Sequence, residues 1–279
     1  MQIGAFIFPT EYSIRIDDLA RTLEERGFES LFVTEHTHIP ASRRTPWPGG
    51  GPLPKEYSHT LDPFVGLTAA AAVTSRLRVG TGICLVIQHD PIVLAKVVAS
   101  LDLLSNGRFL FGVGAGWNVE EIEHHGTAFA TRFRVMKERV LAMKEIWTRE
   151  EAEFSGQFVR FAPIWSYPKP VQQPHPPVLL GGEGPHTLRR VVAWGDGWLP
   201  RGRAGADAIL AQLGELRAAA ARVGRDPRTI STTVFGGKPD PAALDRYRDA
   251  GIDRYLLPLP SEERDRVLSI LDQHAALLR

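Results

Sequence analysis

The stretch FLFGVGAGWNVEE, residues 109–121, decides between two folds. Its apolar residues end in alternating glycines and pass directly into a charged segment, as the strand, loop and helix of a dinucleotide-binding domain do. That fingerprint requires the spacing Gly-x-Gly-x-x-Gly. After Gly112 and Gly114, the position of the third glycine is occupied by Trp117, so the spacing fails. The stretch therefore predicts a strand followed by a helix, without the phosphate loop of a Rossmann domain.

Short apolar strands alternate with amphipathic segments along the whole chain, which is typical of repeated βα units. The predicted strands are 3–8, 30–35, 78–85, 108–114, 177–182, 197–200, 229–236 and 254–259. The segments with helical spacing are 14–26, 63–75, 91–104, 119–149, 185–194, 205–223, 241–250 and 262–278. Eight such units predict a single (β/α)8 TIM-barrel domain over residues 1–279, with its functional groups at the C-terminal ends of the strands.

Composition and charge argue against several classes of protein. Basic and acidic side chains nearly balance, at 33 and 32, and no basic stripe suggests a nucleic-acid partner. No apolar run approaches the roughly 18 residues of a membrane span, and the N-terminus lacks a signal-peptide pattern, so we expect a cytoplasmic protein. The single cysteine, Cys84, excludes an internal disulfide.

Two connections are longer than is usual in this fold. The first, 36–62, is rich in proline and glycine, and the second, 151–176, contains EFSGQFVRF, in which Gly156 separates two β-prone runs and predicts a hairpin. Four aromatic residues in these loops are costly to leave in water: Trp47, Tyr57, Trp165 and Tyr167. Long loops in compact domains are commonly lids or binding loops. We therefore expect both connections to cover a bound ligand.

The end of the second strand, TEHTH, carries candidate catalytic groups. The ordinary pKa of histidine is near neutrality, which suits His36 to donate or accept a proton. A His-x-His pair such as His36 and His38 can also bind zinc, but the later strand ends offer no matching ligands. In the third strand, Gly82 indicates a bulge or a close approach of the backbone to a ligand.

Later strand ends favour an anionic ligand. Asn118 can cap the helix after the fourth strand in a capping box with Glu121. The fifth strand runs into 181–184, GGEG, followed by a helix whose exposed N–H groups can bind an anion. Arg201 and Arg203 follow the sixth strand and suit phosphate or carboxylate. A phosphate-bearing cofactor that lies across the barrel mouth would contact all of these groups.

In their order along the chain, these motifs resemble the luciferase-like monooxygenase superfamily, in its branch of coenzyme F420 (8-hydroxy-5-deazaflavin)-dependent oxidoreductases. The matching stretches are Phe8-Pro9, Glu35-His36, YSHTLDPFVGLTAAAAVTSRLRVGTGI, HDPIVLAKVVASLDLLSNGRFLFGVGAGWNVEE, PVLLGGEG and WGDGWLP. The resemblance implies hydride transfer between F420 and a small organic substrate, by a protein that pairs as a homodimer.

The resemblance also implies roles for individual residues. Glu35 and His36 are expected beside the deazaflavin ring, with His36 handling a proton, and Gly82-Ile83 matches a non-prolyl cis peptide that bulges toward the ring. The residues expected to contact the cofactor are Phe8, Glu35, His36, Gly82, Ile83, Cys84, Gly114, Gly116, Trp117, Asn118, Gly181, Gly182, Glu183 and Arg201. The residues expected to contact the substrate are His38, Trp47, Tyr57 and Trp117.

One departure from the family pattern bears on the substrate. Trp117 stands where the sugar-phosphate dehydrogenases of this family have a glutamate that serves as the acid, which argues against sugar phosphates. Three other functions remain open: an FMN-dependent monooxygenase on the same barrel, a metal-dependent hydrolase that uses His36 and His38, and a barrel that binds a ligand without catalysis. The preferred interpretation, F420 chemistry, expects no bound metal.

Overall fold

The computed structural model describes residues 1–278, so Arg279, the last residue of the predicted domain, lies outside it. The strands are β1 (Gln2–Ile7), β2 (Ser30–Val33), β3 (Arg78–Thr81), β4 (Phe109–Val113), β5 (Ala152–Ser155), β6 (Arg160–Ile164), β7 (Val178–Gly181), β8 (Gly197–Leu199), β9 (Ser231–Phe235) and β10 (Arg254–Pro258). Eight of them form a closed barrel in the order β1-β10-β9-β8-β7-β4-β3-β2, and every pairing in it is parallel. The predicted TIM barrel is confirmed.

The helices surround the barrel and mostly begin where the sequence predicts. They are α1 (Ile16–Glu25), α2 (Pro63–Ala72), α3 (Pro91–Leu104), α4 (Val119–His124), α5 (Arg132–Thr148), α6 (Pro185–Trp194), α7 (Ala206–Arg222), α8 (Pro241–Asp249) and α9 (Arg264–Ala275). Asp62 and Asp90 precede the prolines that open α2 and α3, and each accepts two backbone N–H bonds of the first turn. The single helix predicted over 119–149 is wrong. It is divided into α4 and α5 at Gly126, whose φ of +77° ends the first of them.

Apolar side chains fill both faces of the barrel wall, as expected for parallel strands that are covered by helices. The inner layer consists of five leucine or phenylalanine side chains, all at most 3% exposed: Phe32, Leu110, Leu179, Leu199 and Leu256. Phe6, Ile83 and Phe235 pack on top of this layer and are only partly buried. They therefore form the floor of whatever space lies at the C-terminal mouth.

The connection 36–62 lies over the mouth of the barrel. Its C-terminal part is tied to the end of β1, since Leu61 N donates to Pro9 O at 2.7 Å. In its middle, Arg44 Nε donates to Glu120 Oε1 at 3.1 Å. We call this connection the lid segment. Its position agrees with the expectation that it covers a ligand.

The connection 151–176 does not cover the mouth, and that expectation is wrong. Its hairpin is confirmed, because β5 and β6 pair antiparallel around Gly156. The segment joins the end of α5 to the start of β7, so it lies toward the N-terminal ends of the strands, whereas the mouth is at their C-terminal ends. Trp165 and Tyr167 are accordingly 75% and 54% exposed instead of covering a ligand.

Within residues 1–278, no helix combines the length and the apolar character that a bilayer crossing requires.

Candidate active site

A cavity of about 730 Å³ opens at the C-terminal mouth of the barrel. The residues expected from the sequence that line it are Phe8, Glu35, His36, Trp47, Tyr57, Gly82, Ile83, Gly114, Gly116, Trp117, Gly181, Gly182, Glu183 and Arg201. Arg203, suggested above as a phosphate partner, also lines it, and residues that line it without having been assigned to the site include Phe133, Thr187 and Phe235. The candidate site is therefore assembled from most of the strand ends of the barrel.

The floor of the cavity is built around Ile83. The Gly82-Ile83 peptide bond is cis, as the resemblance implied. A Cβ on Gly114 would lie 2.7 Å from Ile83 Cδ1, and a Cβ on Gly181 would lie 3.0 Å from Ile83 Cγ2. The first distance is shorter than real Cβ contacts and the second is tighter than most of them, so these glycines leave the space that Ile83 occupies. The result is a smooth apolar surface made by neighbouring strands.

His36 is held by the carboxylate of Glu121, which the sequence pattern had predicted to be part of the capping box of α4. Its Nδ1 atom lies 2.8 Å from Glu121 Oε2, and the two side chains are only 6% and 1% exposed. A carboxylate only accepts hydrogen bonds, so in the neutral ring Nδ1 carries the proton and Nε2 keeps its lone pair. Asn118 caps α4 by accepting from Glu121 N at 3.2 Å, as predicted. The other half of the capping box is wrong, because the Glu121 carboxylate turns to His36.

Glu35 is buried beneath the lid segment and uses both of its oxygens. It accepts a hydrogen bond from Leu85 N and another from His89 Nε2, the latter at 2.7 Å. Burial by itself lowers the pKa of His89, but the hydrogen bond and charge of Glu35 outweigh it, so the pKa of His89 is raised. Glu35 therefore fixes the chain that follows Ile83 and forms an ion pair with His89.

Three residues expected in the site do not line the cavity. Cys84 is fully buried behind the floor, where burial and the neighbouring Glu35 raise the pKa of its thiol well above the usual range. Asn118 is used as the helix cap, and His38 Nε2 lies 2.8 Å from His124 Nδ1. The structure places all three outside the cavity lining, so the geometry does not support their predicted contacts with the cofactor or the substrate.

The partners of the two lid histidines also remove the basis of the metal-hydrolase alternative. His36 bonds Glu121, while His38 bonds His124 and lies outside the cavity. A shared metal would need both rings to direct a nitrogen to one point. His36 and His38 instead turn to different partners.

Aromatic side chains form one wall of the cavity, with Tyr57 at its centre. The ring centroid of Tyr57 lies 5.9 Å from that of Trp47 and 6.4 Å from that of Trp117, both at an interplanar angle of 74°. The His36 ring lies 5.2 Å from Tyr57 and 5.9 Å from Trp117. Burial raises the pKa of Tyr57, so its phenol stays neutral at physiological pH. We call Trp47, Tyr57 and Trp117 the aromatic wall.

A second part of the cavity lining, which we call the polar end, carries Glu183, Arg201 and Arg203. Glu183 Oε1 accepts from the main-chain N of Arg201 at 2.8 Å and from its Nε at 2.9 Å. Burial alone raises the pKa of Glu183, but Arg201 outweighs it, so the pKa of Glu183 is lowered. Within residues 1–278, Arg203 is the cavity arginine without an ion-pair partner, and Thr187, in the first turn of α6, also lines the cavity. The charge that remains at this end is positive.

The chain is similar to several characterised and uncharacterised proteins. An uncharacterized protein of Mycobacterium tuberculosis is 40% identical over 100% of this chain and 99% of its own length. The F420-dependent hydroxymycolic acid dehydrogenase of the same organism is 27% identical over 82% of this chain and 61% of its own length. Among solved structures, monooxygenase RslO1 from Streptomyces bottropensis is 22% identical and has a TM-score of 0.82, covering 100% of this chain and 98% of the other.

The family model for luciferase-like monooxygenases matches residues 4–276, which is nearly the whole chain. The closed parallel barrel and the cavity at its C-terminal mouth agree with that match. The protein is therefore an enzyme of the luciferase-like monooxygenase family.

Proposed function

We propose that the protein transfers a hydride between coenzyme F420 and a small organic substrate. The observation that carries the proposal is the His36–Glu121 pair at the wall of a cavity whose floor is apolar and rich in glycine. The similarity to an F420-dependent dehydrogenase favours F420 over other ring cofactors.

The residues of the cavity fit a flat cofactor with an anionic tail. The surface of Ile83, cleared by Gly114 and Gly181, would support a planar ring. The tail would lie at the polar end, where Arg203 and the start of α6 supply positive charge and N–H groups. When bound, F420 supplies a ring carbon that accepts or donates a hydride.

Residues of the protein itself transfer the proton and exclude water from the site. His36 Nε2 takes the proton that leaves the substrate during oxidation, or returns it during reduction, while Glu121 keeps the ring in one tautomer and stabilises its charged form. The lid segment and the aromatic wall exclude water from the reacting groups.

An FMN-dependent monooxygenase is the second candidate. It is favoured by the similarity of the fold to a monooxygenase along its full length. The same floor and the same polar end would accept FMN, whose single phosphate also suits Arg203. The two candidates differ in chemistry, because FMN activates oxygen whereas the deazaflavin transfers hydride.

A direct titration separates the two candidates. Purified cofactor-free protein is titrated with F420 and, separately, with FMN, and the binding is measured by quenching of the cofactor's fluorescence. We expect F420 to bind more tightly than FMN. Tight binding of FMN with none of F420 would contradict the proposal and establish the second candidate.

We also propose that the protein is a homodimer through the outer faces of α2 and α3. No charged residue occurs in α2, and apolar side chains predominate on the two outer faces, where Lys96 of α3 is an exposed charged residue. The exposed large apolar side chains are Val65, Ile92, Val93, Leu103 and Leu104. A helix that is apolar all round is normally buried in a larger assembly.

Light scattering measures the molar mass in solution. We expect the mass of a dimer for the parent protein and that of a monomer for Val93→Glu. The control is Val223→Glu, at an exposed valine after α7, which should stay dimeric.

A further inference from the structure

We propose that the substrate is an uncharged molecule with an apolar, ring-bearing frame that binds against the aromatic wall. The inference rests on the proposed function, because it assumes that a cofactor ring occupies the floor over Ile83. The substrate then fills the remaining space between that ring, His36 and the wall formed by Trp47, Tyr57 and Trp117.

The geometry of the wall favours ring contacts. Tyr57 meets both tryptophans nearly edge to face, at 74°, so the wall presents ring edges and ring faces side by side. Aromatic partners prefer such edge-to-face and offset contacts, which add to the gain from apolar burial. A substrate with a ring system can therefore make contacts there that an open-chain polyol cannot.

The charges that line the cavity are nearly all neutralised by the protein itself. Glu35 is paired with His89 and Glu183 with Arg201. Arg44 of the lid segment, which does not line the cavity, is paired with Glu120. A charged group buried without a partner is strongly destabilised. Once the cofactor tail pairs with Arg203, a substrate charge at the aromatic wall would be in that position, so charged substrates are selected against.

Among the described lining residues, Arg203 is the exception. Its charge also acts to lower the pKa of Tyr57, against the larger effect of burial, and the proposed function assigns that charge to the anionic tail of the cofactor. Arg203 lies in the short turn Gly202–Ala204 that follows β8, next to the Glu183–Arg201 pair. That is the polar end of the cavity, where the anionic tail of either cofactor would lie. The substrate end is left with His36 as its proton-exchanging group.

Matched probes on one frame test the proposal. Protein saturated with the cofactor it binds is titrated by calorimetry with 2-acetylnaphthalene, which is neutral, 2-naphthoate, which is anionic, and 2-naphthylmethylamine, which is cationic at pH 7. We expect the neutral ketone to bind at least about tenfold more tightly than either charged probe, a difference of ~1.4 kcal/mol. The proposal is overturned if either charged probe, or glucose 6-phosphate, binds as tightly as the ketone.

Substitutions of Trp117 test whether the ketone binds at the aromatic wall. Trp117→Glu should weaken binding of the ketone about tenfold or more, because it removes a ring and adds a charge, whereas Trp117→Phe should stay within about threefold. Trp165→Glu, at an exposed tryptophan far from the cavity, is the control and should change nothing. An unchanged affinity in Trp117→Glu contradicts the proposal.

Failure of the proposed function would give a different result. If neither F420 nor FMN binds, the proposed function is wrong, and the same probe series is run on the cofactor-free protein. A preference for the neutral ketone that depends on Trp117 would still support the inference about the aromatic wall. If the cofactor-free protein shows no such preference, the inference about the substrate is wrong as well as the proposed function.

Discussion

The Nδ1 atom of His36 and the Oε2 atom of Glu121 lie 2.8 Å apart, although the two residues are 85 positions apart in the sequence. The pair joins the end of β2 to the first turn of α4 and is almost completely buried. A carboxylate that bonds one nitrogen of a neutral imidazole fixes which of the two ring nitrogens carries the proton. Glu121 thus acts as a positioning residue for His36.

Replacing Glu121 with glutamine should allow His36 to populate both of its neutral tautomers. An amide can donate or accept, so it no longer selects the Nδ1–H form. Nitrogen-15 spectra of labelled histidine should show one tautomer for His36 in the parent protein and a mixture in Glu121→Gln. The control is Glu120→Gln, whose carboxylate bonds Arg44 and Thr45 of the lid segment. A single unchanged tautomer in Glu121→Gln would show that Glu121 does not set it.

Replacing His36 with glutamine tests the proton-transfer role itself. The variant keeps a polar side chain but loses the group that exchanges a proton, so turnover should fall by roughly 10²–10⁴-fold. Cofactor affinity should change little, since the floor and the polar end are untouched. Turnover is measured with the substrate that the probe series leads to. If turnover and cofactor binding both stay at the parent level, His36 is not the proton-handling group.

Gly114→Ala should weaken the fold and the cofactor site together. Its Cβ would lie 2.7 Å from Ile83 Cδ1, so either Ile83 or β4 must move. Overpacking of this kind costs about 1–3 kcal/mol in the free energy of unfolding. Gly214→Ala, within α7 and with open space around its Cβ, is the matched control and should raise stability by about 0.5–1 kcal/mol. Urea unfolding and cofactor titration measure both effects, and equal behaviour of the two variants would contradict the account of the floor.

Glu24 should make stability depend on pH in the acid range. Burial alone raises its pKa, but hydrogen bonds from the backbone N–H groups of Leu77, Arg76 and Ser75 outweigh this and lower the pKa from 4.5 to about 2. The stabilisation is therefore complete above pH 4.5 and is lost as the pH falls through about 2.

The variant Glu24→Gln measures that contribution. It should lower the free energy of unfolding at pH 7 by about 1 kcal/mol, after allowance for solvent screening of this partly exposed group. The difference from the parent should shrink between pH 4.5 and 2. Glu25→Gln, at the exposed neighbouring position, should show no such pH-dependent difference. A constant difference across that range would mean that the Glu24 carboxylate is not the source.

The ion pair between Arg254 and Glu29 should stabilise the N-terminal end of the barrel, where β2 and β10 begin. Arg254 Nε and Nη2 each donate to a Glu29 oxygen at 2.6 Å, and both side chains are mostly buried. Breaking a buried pair leaves an uncompensated charge, so Glu29→Gln should cost about 3 kcal/mol in the free energy of unfolding. Asp272→Asn, which breaks the exposed pair with Arg26, should cost less than about 1 kcal/mol. Similar costs for the two variants would argue against this account of burial.

Much of the barrel and the candidate site could be predicted from local patterns. Alternating apolar strands and amphipathic segments specify βα units, and the rule that ligands bind at C-terminal strand ends brought His36, Ile83 and Gly181 into one cavity. Cys84 was predicted in the site because it belongs to the same strand end as Ile83. The alternation of side chains along a strand predicts the opposite orientation for it. Adjacent residues of an extended chain face opposite sides, so an inward Ile83 predicts an outward Cys84.

Other features could not be predicted because they depend on contacts between distant parts of the chain. Glu121 had a sufficient local explanation in the capping box, and its contact with His36 appears only when β2 and β4 are neighbours of β3 in the barrel. The segment 151–176 shows the same difficulty, because the length of a loop does not reveal at which end of the barrel it lies. The break at Gly126 was present in the sequence as a glycine but not in the apolar spacing around it.

The nesting of Ile83 against Gly114 and Gly181 has a consequence for efforts to redesign the enzyme. The three positions lie at the C-terminal ends of three different strands, yet they share one volume, so a larger residue at either glycine requires Ile83 to shift or to be replaced by a smaller residue. Libraries that vary these positions one at a time will return mostly inactive clones. Libraries that vary 83, 114 and 181 together can exchange volume among the strands and reshape the floor for a different ring.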